Sequence, residues 1–133
     1  MASQHLAGWR VLIVEDEYYL AEDARSALSD VGAEVLGPVA SVIEARALIE
    51  ADPGINAVLL DVNLRGEMAF EVADALISRG IPFAFVTGYD RAALPDRFSD
   101  AVSLRKPVHA EQLVDLFRTF SASELCPSDE IRT

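Results

Sequence analysis

Several things the chain has little of narrow what it can be. It holds a single cysteine, Cys126, in 133 residues, so no internal disulfide can form, which fits a reducing compartment. No apolar stretch approaches the roughly 20 residues of a membrane span. Residues 1–8 lack the basic region and the long apolar region of a signal peptide. These absences lead us to expect a cytoplasmic protein. Basic side chains are also scarce: 11 Lys+Arg stand against 22 Asp+Glu, a formal net charge of −11. A surface of that sign repels phosphate backbones and acidic membranes, so we expect neither nucleic acid nor membrane as a partner. A cationic protein surface or a metal ion suits the charge better, although solubility alone would also account for it. Lysine is scarcest of all: Lys106 is the only one, and the other ten basic residues are arginines.

What is present is a core. Hydrophobic residues make up 51% of the chain, enough for one domain of this length. We place that domain at 9–121, after a loose lead-in at 1–8 and before a polar, aperiodic tail at 122–133 that contains Pro127. There is no internal repeat and no low-complexity linker.

Between those bounds, strand and helix signals alternate. Leu20, Ala24, Ala27, Leu28 and Val31 recur at helical spacing and predict a first helix over 17–31, with Gly32 as a stop. Residues 34–40 read as a strand, and Gly37-Pro38 within it points to a sheet edge, because proline cannot donate to the ladder. Ser41 with Glu44 forms a capping-box pattern for a second helix whose inward residues are Val42, Ala45, Leu48 and Ile49. A third helix is predicted over 67–78 with Phe70, Ala73, Leu76 and Ile77 inward, ended by Gly80 and Pro82. A fourth, opened by Asp90, is cut short by Pro95, so we expect it to be short or irregular. The last covers 110–120, with Leu113, Leu116, Phe117 and Phe120 on one face. Five strands alternating with helices give an α/β, doubly wound, parallel sheet with right-handed crossovers. With the proline-containing strand at an edge, the order 2-1-3-4-5 follows, and strands one and three flank the switch point.

Four of the apolar runs end at polar residues. Val11–Val14 leads into Glu15-Asp16, Ala57–Leu60 into Asp61, Phe83–Val86 into Thr87, and Ala101–Leu104, past Arg105, into Lys106-Pro107. Ligands of an open parallel sheet sit beyond the carboxyl ends of its strands, so these residues are predicted to meet there. Two like charges at ~4 Å cost about 4 kcal/mol at a surface-like dielectric, and a divalent cation removes that cost. Mg²⁺ prefers oxygen ligands and commonly uses one or two carboxylates. Asp16 and Asp61 are the best direct ligands; Glu15 would act through water, and a backbone carbonyl past Asp61, that of Asn63, completes the set. Asp61 also suits a nucleophile that forms an aspartyl-phosphate. Lys106, the Thr87 hydroxyl and the backbone amide of Gly88 would then serve the phosphoryl oxygens. Taken singly, each residue has a plainer role as a helix cap or solvated surface group. Together, at the ends of successive strands, they are hard to read that way.

Glu15-Asp16, Asp61, Thr87 and Lys106-Pro107, in this order and spacing, resemble the receiver domain of bacterial two-component response regulators over about residues 9–121. The stretch from Pro82 to Tyr89 resembles a single-domain subfamily with a Phe-Ala-Thr-Gly-x-Tyr type motif. The resemblance implies a flavodoxin-like fold. It implies that Asp61 accepts a phosphoryl group from a sensor histidine kinase or histidine phosphotransferase, with Mg²⁺ on the acidic pair and Thr87 and Lys106 contacting phosphate. It also implies a Lys106-Pro107 bond that is often cis. The chain would then be a stand-alone signalling domain rather than an enzyme, a monomer or weak dimer that passes its state to a downstream protein by contact or phosphorelay. It departs from the pattern at Ser103, where many receivers carry an aromatic switch residue, with Tyr89 as a candidate substitute, and at Arg65, where proline is common.

The competing readings have less behind them. One is a degenerate receiver that serves as a binding module. Another is an aspartyl-phosphate phosphohydrolase like the haloacid dehalogenases, but those place the nucleophile after the first strand with an acid two residues on, where this chain has Asn63. A flavin binder lacks its phosphate-cradling glycines. His5 and His109 have no supporting site as phosphodonors, and Cys126 has no paired base.

Overall fold

A computed structural model describes residues 6–64, 66–88, 94–106 and 108–132, with only the backbone course for 122–132. Strands β1 (Arg10–Val14), β2 (Glu34–Val39), β3 (Ala57–Asp61), β6 (Phe83–Thr87) and β7 (Val102–Arg105) form one five-stranded sheet. Its order is β2-β1-β3-β6-β7, and all its pairings are parallel. This is the doubly wound order expected from the sequence, with the Gly37-Pro38 strand at an edge. β1 and β3 are buried from end to end apart from Arg10, which is why they read as unbroken apolar runs.

Helices α1 (Tyr18–Asp30), α2 (Val42–Ala51), α3 (Phe70–Arg79) and α4 (Ala110–Arg132) cover the two faces. Against α2 and α3 lies a core built around Leu12, Val58, Leu60, Val72, Leu76 and Phe85. Against α1 and α4 lies a second, around Val11, Ile13, Leu28, Leu59, Leu113 and Phe117. Alternate residues of each strand feed opposite cores, as the two-residue period of a strand requires.

The helix ends show how closely local sequence sets local structure. The Ser41 Oγ accepts from the Glu44 N–H at 3.2 Å. The Glu44 carboxylate accepts from the Ala40 N–H, also at 3.2 Å, one residue earlier than a strict capping box. Gly80 ends α3 in the left-handed region at φ 73°, a conformation that costs glycine nothing sterically.

Several expectations need correction. The third helix starts at Phe70, not at 67. Glu67 and Met68 instead form β5 (Glu67–Met68), an antiparallel hairpin with β4 (Asn63–Leu64). On α3, Val72, Ala73 and Leu76 are buried, while Ile77, expected inward, is 57% exposed. The last helix runs past Phe120 to Arg132. Loss of apolar periodicity in the sequence there does not remove the helix propensity of its Ala, Glu and Leu. The lead-in is not loose at Leu6, which is 2% exposed and donates its N–H to the Val31 carbonyl at 2.8 Å. Between β6 and β7 the described residues include a short 3₁₀ turn, Asp96–Phe98, while the short or irregular helix expected between Asp90 and Pro95 lies largely outside them. The turn is anchored by Phe98, whose ring lies 5.4 Å from that of Phe85 and 5.5 Å from that of Phe70. Asp90, Tyr89, Arg65 and the Lys106-Pro107 bond fall outside the described residues.

Candidate functional site

The strand register brings the site together. Leu60 of β3 pairs with Val14 of β1, so Asp61 stands one step beyond the point where β1 gives way to Glu15. On the other side Asp61 pairs with Val86, which sets Thr87 one step beyond it on β6. Thr87 pairs in turn with Arg105, and its carbonyl accepts from the Lys106 N–H at 3.0 Å. Residues up to 91 positions apart in sequence therefore end at one rim.

At that rim the Lys106 ammonium lies 3.0 Å from Glu15 Oε1 and 3.2 Å from Asp61 Oδ2. Glu15, Asp16 and Asp61 each offer a carboxylate oxygen, and these oxygens all lie within 4.8 Å of one another. Among the described residues, Glu15, Asp61 and Thr87 are the buried polar or charged ones, at 7%, 5% and 6% exposure. Beyond them opens a cleft lined by Asp16, Glu17, Asp61, Asn63, Gly88 and Lys106. A Cβ added at Gly88 would meet nothing within 4 Å. The chain's own packing therefore does not demand glycine here; what the glycine leaves open is space over the cleft.

Local chemistry fixes each acid. Glu15 Oε2 accepts from the Glu17 N–H at 3.1 Å, which holds the turn leaving β1. Glu17 caps α1, its Oε1 accepting from the Tyr19 and Leu20 N–H groups at 3.0 and 3.4 Å. The cap is thus a third acid, one residue past the pair in which a capping role was conceivable. Asp61 Oδ1 accepts from the Asn63 N–H at 3.4 Å.

Burial pushes the Asp61 carboxyl up to about 7; the neighbouring Glu15 adds to the rise, and Lys106 only partly offsets it. Burial works against the charge on Lys106, but its hydrogen bond to Glu15 and the attraction of both acids outweigh that and raise its pKa. Glu15 and Asp61 share the Lys106 ammonium, and Asp16 brings a third carboxylate to the same rim. A hard divalent cation with oxygen preference fits this donor set, and Asp16 and Asp61 face the cleft from which it would enter.

All seven residues singled out from the sequence (Glu15, Asp16, Asp61, Asn63, Thr87, Gly88 and Lys106) lie at this end of the sheet. Two features of the site were not anticipated: Glu17 as the helix cap, and the β4–β5 hairpin directly after Asp61. The sequence carried a signal for the hairpin in Asn63 and Gly66, a turn-forming pair three residues apart.

Solved structures with this fold decide the family. Over 80% of this chain and 91% of the other, the chain is 39% identical to SdrG from Sphingomonas melonis Fr1, with a TM-score of 0.73. It is 25% identical to a CheY-like response regulator receiver domain protein from Methanospirillum hungatei JF-1, over 90% and 98% of the two chains, with a TM-score of 0.77. The response regulator PhyR from Brucella abortus matches at 25% identity with a TM-score of 0.77, over 97% of this chain and 55% of that one. The chain belongs to the response regulator receiver family. No family model matches the sequence, and no curated protein matches it.

Membership accounts for the placement of the rim. The receiver fold sets its acidic residues at the switch point between β1 and β3, where crossovers leave in opposite directions and open a crevice. No helix among the described residues is long and apolar enough to cross a membrane.

Proposed function

We propose that this receiver accepts a phosphoryl group on Asp61 from the phosphohistidine of a sensor histidine kinase or histidine phosphotransferase, and passes its state on by protein–protein contact or phosphorelay. One observation carries the reading: the ammonium of the chain's only lysine lies 3.2 Å from Asp61 Oδ2, at the mouth of a cleft where three carboxylates converge. The family supports it, as does a second SdrG structure, from Pseudomonas melonis Fr1 and 35% identical to this chain, which was solved in a BeF3-activated conformation.

Asp16 and Asp61 would hold Mg²⁺ directly, with the backbone carbonyl of Asn63 and, through water, Glu15. Bound there, Mg²⁺ supplies positive charge that keeps Asp61 ionised and offsets charge on the phosphoryl oxygens. The ionised Asp61 oxygen attacks phosphorus, the phosphorus–nitrogen bond of the donor breaks, and the imidazole leaves with that electron pair. Lys106 then exchanges its ion pair with the Asp61 carboxylate for one with the new phosphoryl group. The Thr87 hydroxyl and the Gly88 N–H donate to the remaining oxygens. The new charge biases a two-state equilibrium, and a nearly complete shift takes about 5.5 kcal/mol of differential stabilisation.

Acetyl phosphate or another small phosphodonor tests this. Wild-type protein with Mg²⁺ should gain the mass of one phosphoryl group, and Asp61→Asn should gain none. Labelling that survives Asp61→Asn, or that is indifferent to EDTA, would overturn the assignment. A wild-type chain that takes no label under any condition would favour the binding-module reading.

A further inference from the structure

The segment after Asp61 is built more firmly than a loop needs to be. Asn63 pairs with Met68 and Leu64 with Glu67, so the chain folds back on itself within six residues of strand and turn. The turn is closed by a side chain: Asn63 Oδ1 accepts from the Gly66 N–H at 2.6 Å. Gly66 itself sits at φ 88°, in the left-handed region. Val62 and Leu64 on either side are 5% and 2% exposed, pinned into the core beneath α2 and α3. The Ala69 N–H closes the far end by donating to the Val62 carbonyl at 2.9 Å. Asn63 and Gly66 both line the acidic cleft, so the hairpin forms one wall of the site.

We infer that Asn63 is a positioning residue. Its side-chain oxygen is committed to the Gly66 N–H and acts as a strut that holds the peptide whose carbonyl completes the cation site. This rests on the proposed function, which assigns that carbonyl to Mg²⁺. It goes further in giving the Asn63 side chain a task distinct from that of its backbone. The physical reason is preorganisation. A backbone carbonyl in a free loop must be ordered when the cation binds, and that entropy subtracts from affinity. A carbonyl in a hairpin locked by a short hydrogen bond and two buried neighbours is ordered beforehand. Groups that orient a ligand without touching the metal typically change metal affinity about 10–100-fold when removed. Asparagine suits the position because its oxygen can reach an N–H two or three residues on and mimic a backbone turn.

The test is Mg²⁺ affinity by calorimetry, alongside exchange of the Gly66 amide proton by NMR, on the full chain. Asn63→Ala should weaken Mg²⁺ binding by about tenfold and speed Gly66 amide exchange in Mg²⁺-free buffer. Asn63→Asp keeps an acceptor at the same place, so it should restore slow exchange and bind Mg²⁺ at least as tightly as wild type. Gly66→Ala meets no neighbour within 4 Å but opposes the positive φ, and should weaken binding through the strut's other partner. Asn63→Ala binding Mg²⁺ as tightly as wild type, while Asp16→Asn loses it, would overturn the strut and leave the proposed function standing. A wild-type chain that binds no Mg²⁺ would overturn both. Should Asn63→Ala fail to fold, Gly66→Ala and Asn63→Asp carry the comparison: equal Mg²⁺ affinity in wild type and Gly66→Ala overturns the strut.

Discussion

At the amino end of the sheet one guanidinium, that of Arg10, bonds to Glu34 and Asp52. At the carboxyl end one ammonium, that of Lys106, bonds to Glu15 and Asp61, with Asp16 beside them. The two clusters are alike in composition and opposite in condition. Hydrogen bonds from Arg10 hold the Asp52 carboxyl below the usual range, and Glu34 stays largely in water, its side chain 67% exposed. Asp61 is 5% exposed and its carboxyl is pushed up to about 7. Solvent and a second layer of bonds settle the amino end: Asn56 Oδ1 accepts from the Arg10 N–H at 2.7 Å, and Asn56 Nδ2 donates to the Gly8 carbonyl at 3.1 Å. At the carboxyl end burial keeps the Asp61 carboxyl raised despite the ammonium beside it. A strongly perturbed carboxyl in a cleft is the kind of group that marks a functional site, whereas the amino-end cluster has its partners within the chain.

The sharpest way to test this contrast is through pH in the absence of metal. The folded Asp61 pKa lies above its ordinary value, so its contribution to stability is fully present below about pH 4 and is lost as pH rises through about 7. In EDTA, the stability advantage of Asp61→Asn over wild type should grow by about 2 kcal/mol from pH 5.5 to pH 8.5, by urea unfolding, a gap that opens as the Asp61 carboxyl ionises. Adding Mg²⁺ should close the gap at high pH. A gap that does not change with pH would mean that the carboxyl end is as settled as the other.

A smaller effect belongs to the amino end. Asn56→Ala removes two hydrogen bonds and should cost about 1–2 kcal/mol. That cost should not depend on Mg²⁺, because the site lies at the other end of every strand. A Mg²⁺-dependent cost would show the two ends to be coupled. The smallest effect is expected at neither end. Arg46 reaches Glu71 between α2 and α3 at 2.5 Å, with side chains 42% and 62% exposed. Solvated pairs of this kind contribute little, so Arg46→Ala should shift stability by no more than about 0.5 kcal/mol.

Much of this was legible in the sequence, for reasons that particular residues make plain. β1 and β3 are buried on both faces, so their apolar runs announced them. Gly37-Pro38 marked the edge strand, and Ser41 with Glu44 marked the start of α2. Asp61, Thr87 and Lys106 could be located because each ends a run. The misses share a cause. Ile77 and Val72 lie about 140° apart around α3, and only its packing against the sheet shows that Val72 faces inward and Ile77 does not. Phe98 lies in a polar stretch with no period, and only its packing on Phe70 and Phe85 reveals it as an anchor. Leu6 precedes every periodic signal, yet it fills the core against α1 and α4.

By itself the sequence determined the alternation of strands and helices, the edge position of β2 and which polar residues end the strands, because period, turn chemistry and residue type are local properties. Only the tertiary structure decided that Lys106 pairs with Glu15 as well as Asp61, that Glu17 rather than its neighbours caps α1, and that Asn63 closes a hairpin. Those outcomes depend on strand register and on which groups are denied water, and both arise only once distant segments pack together.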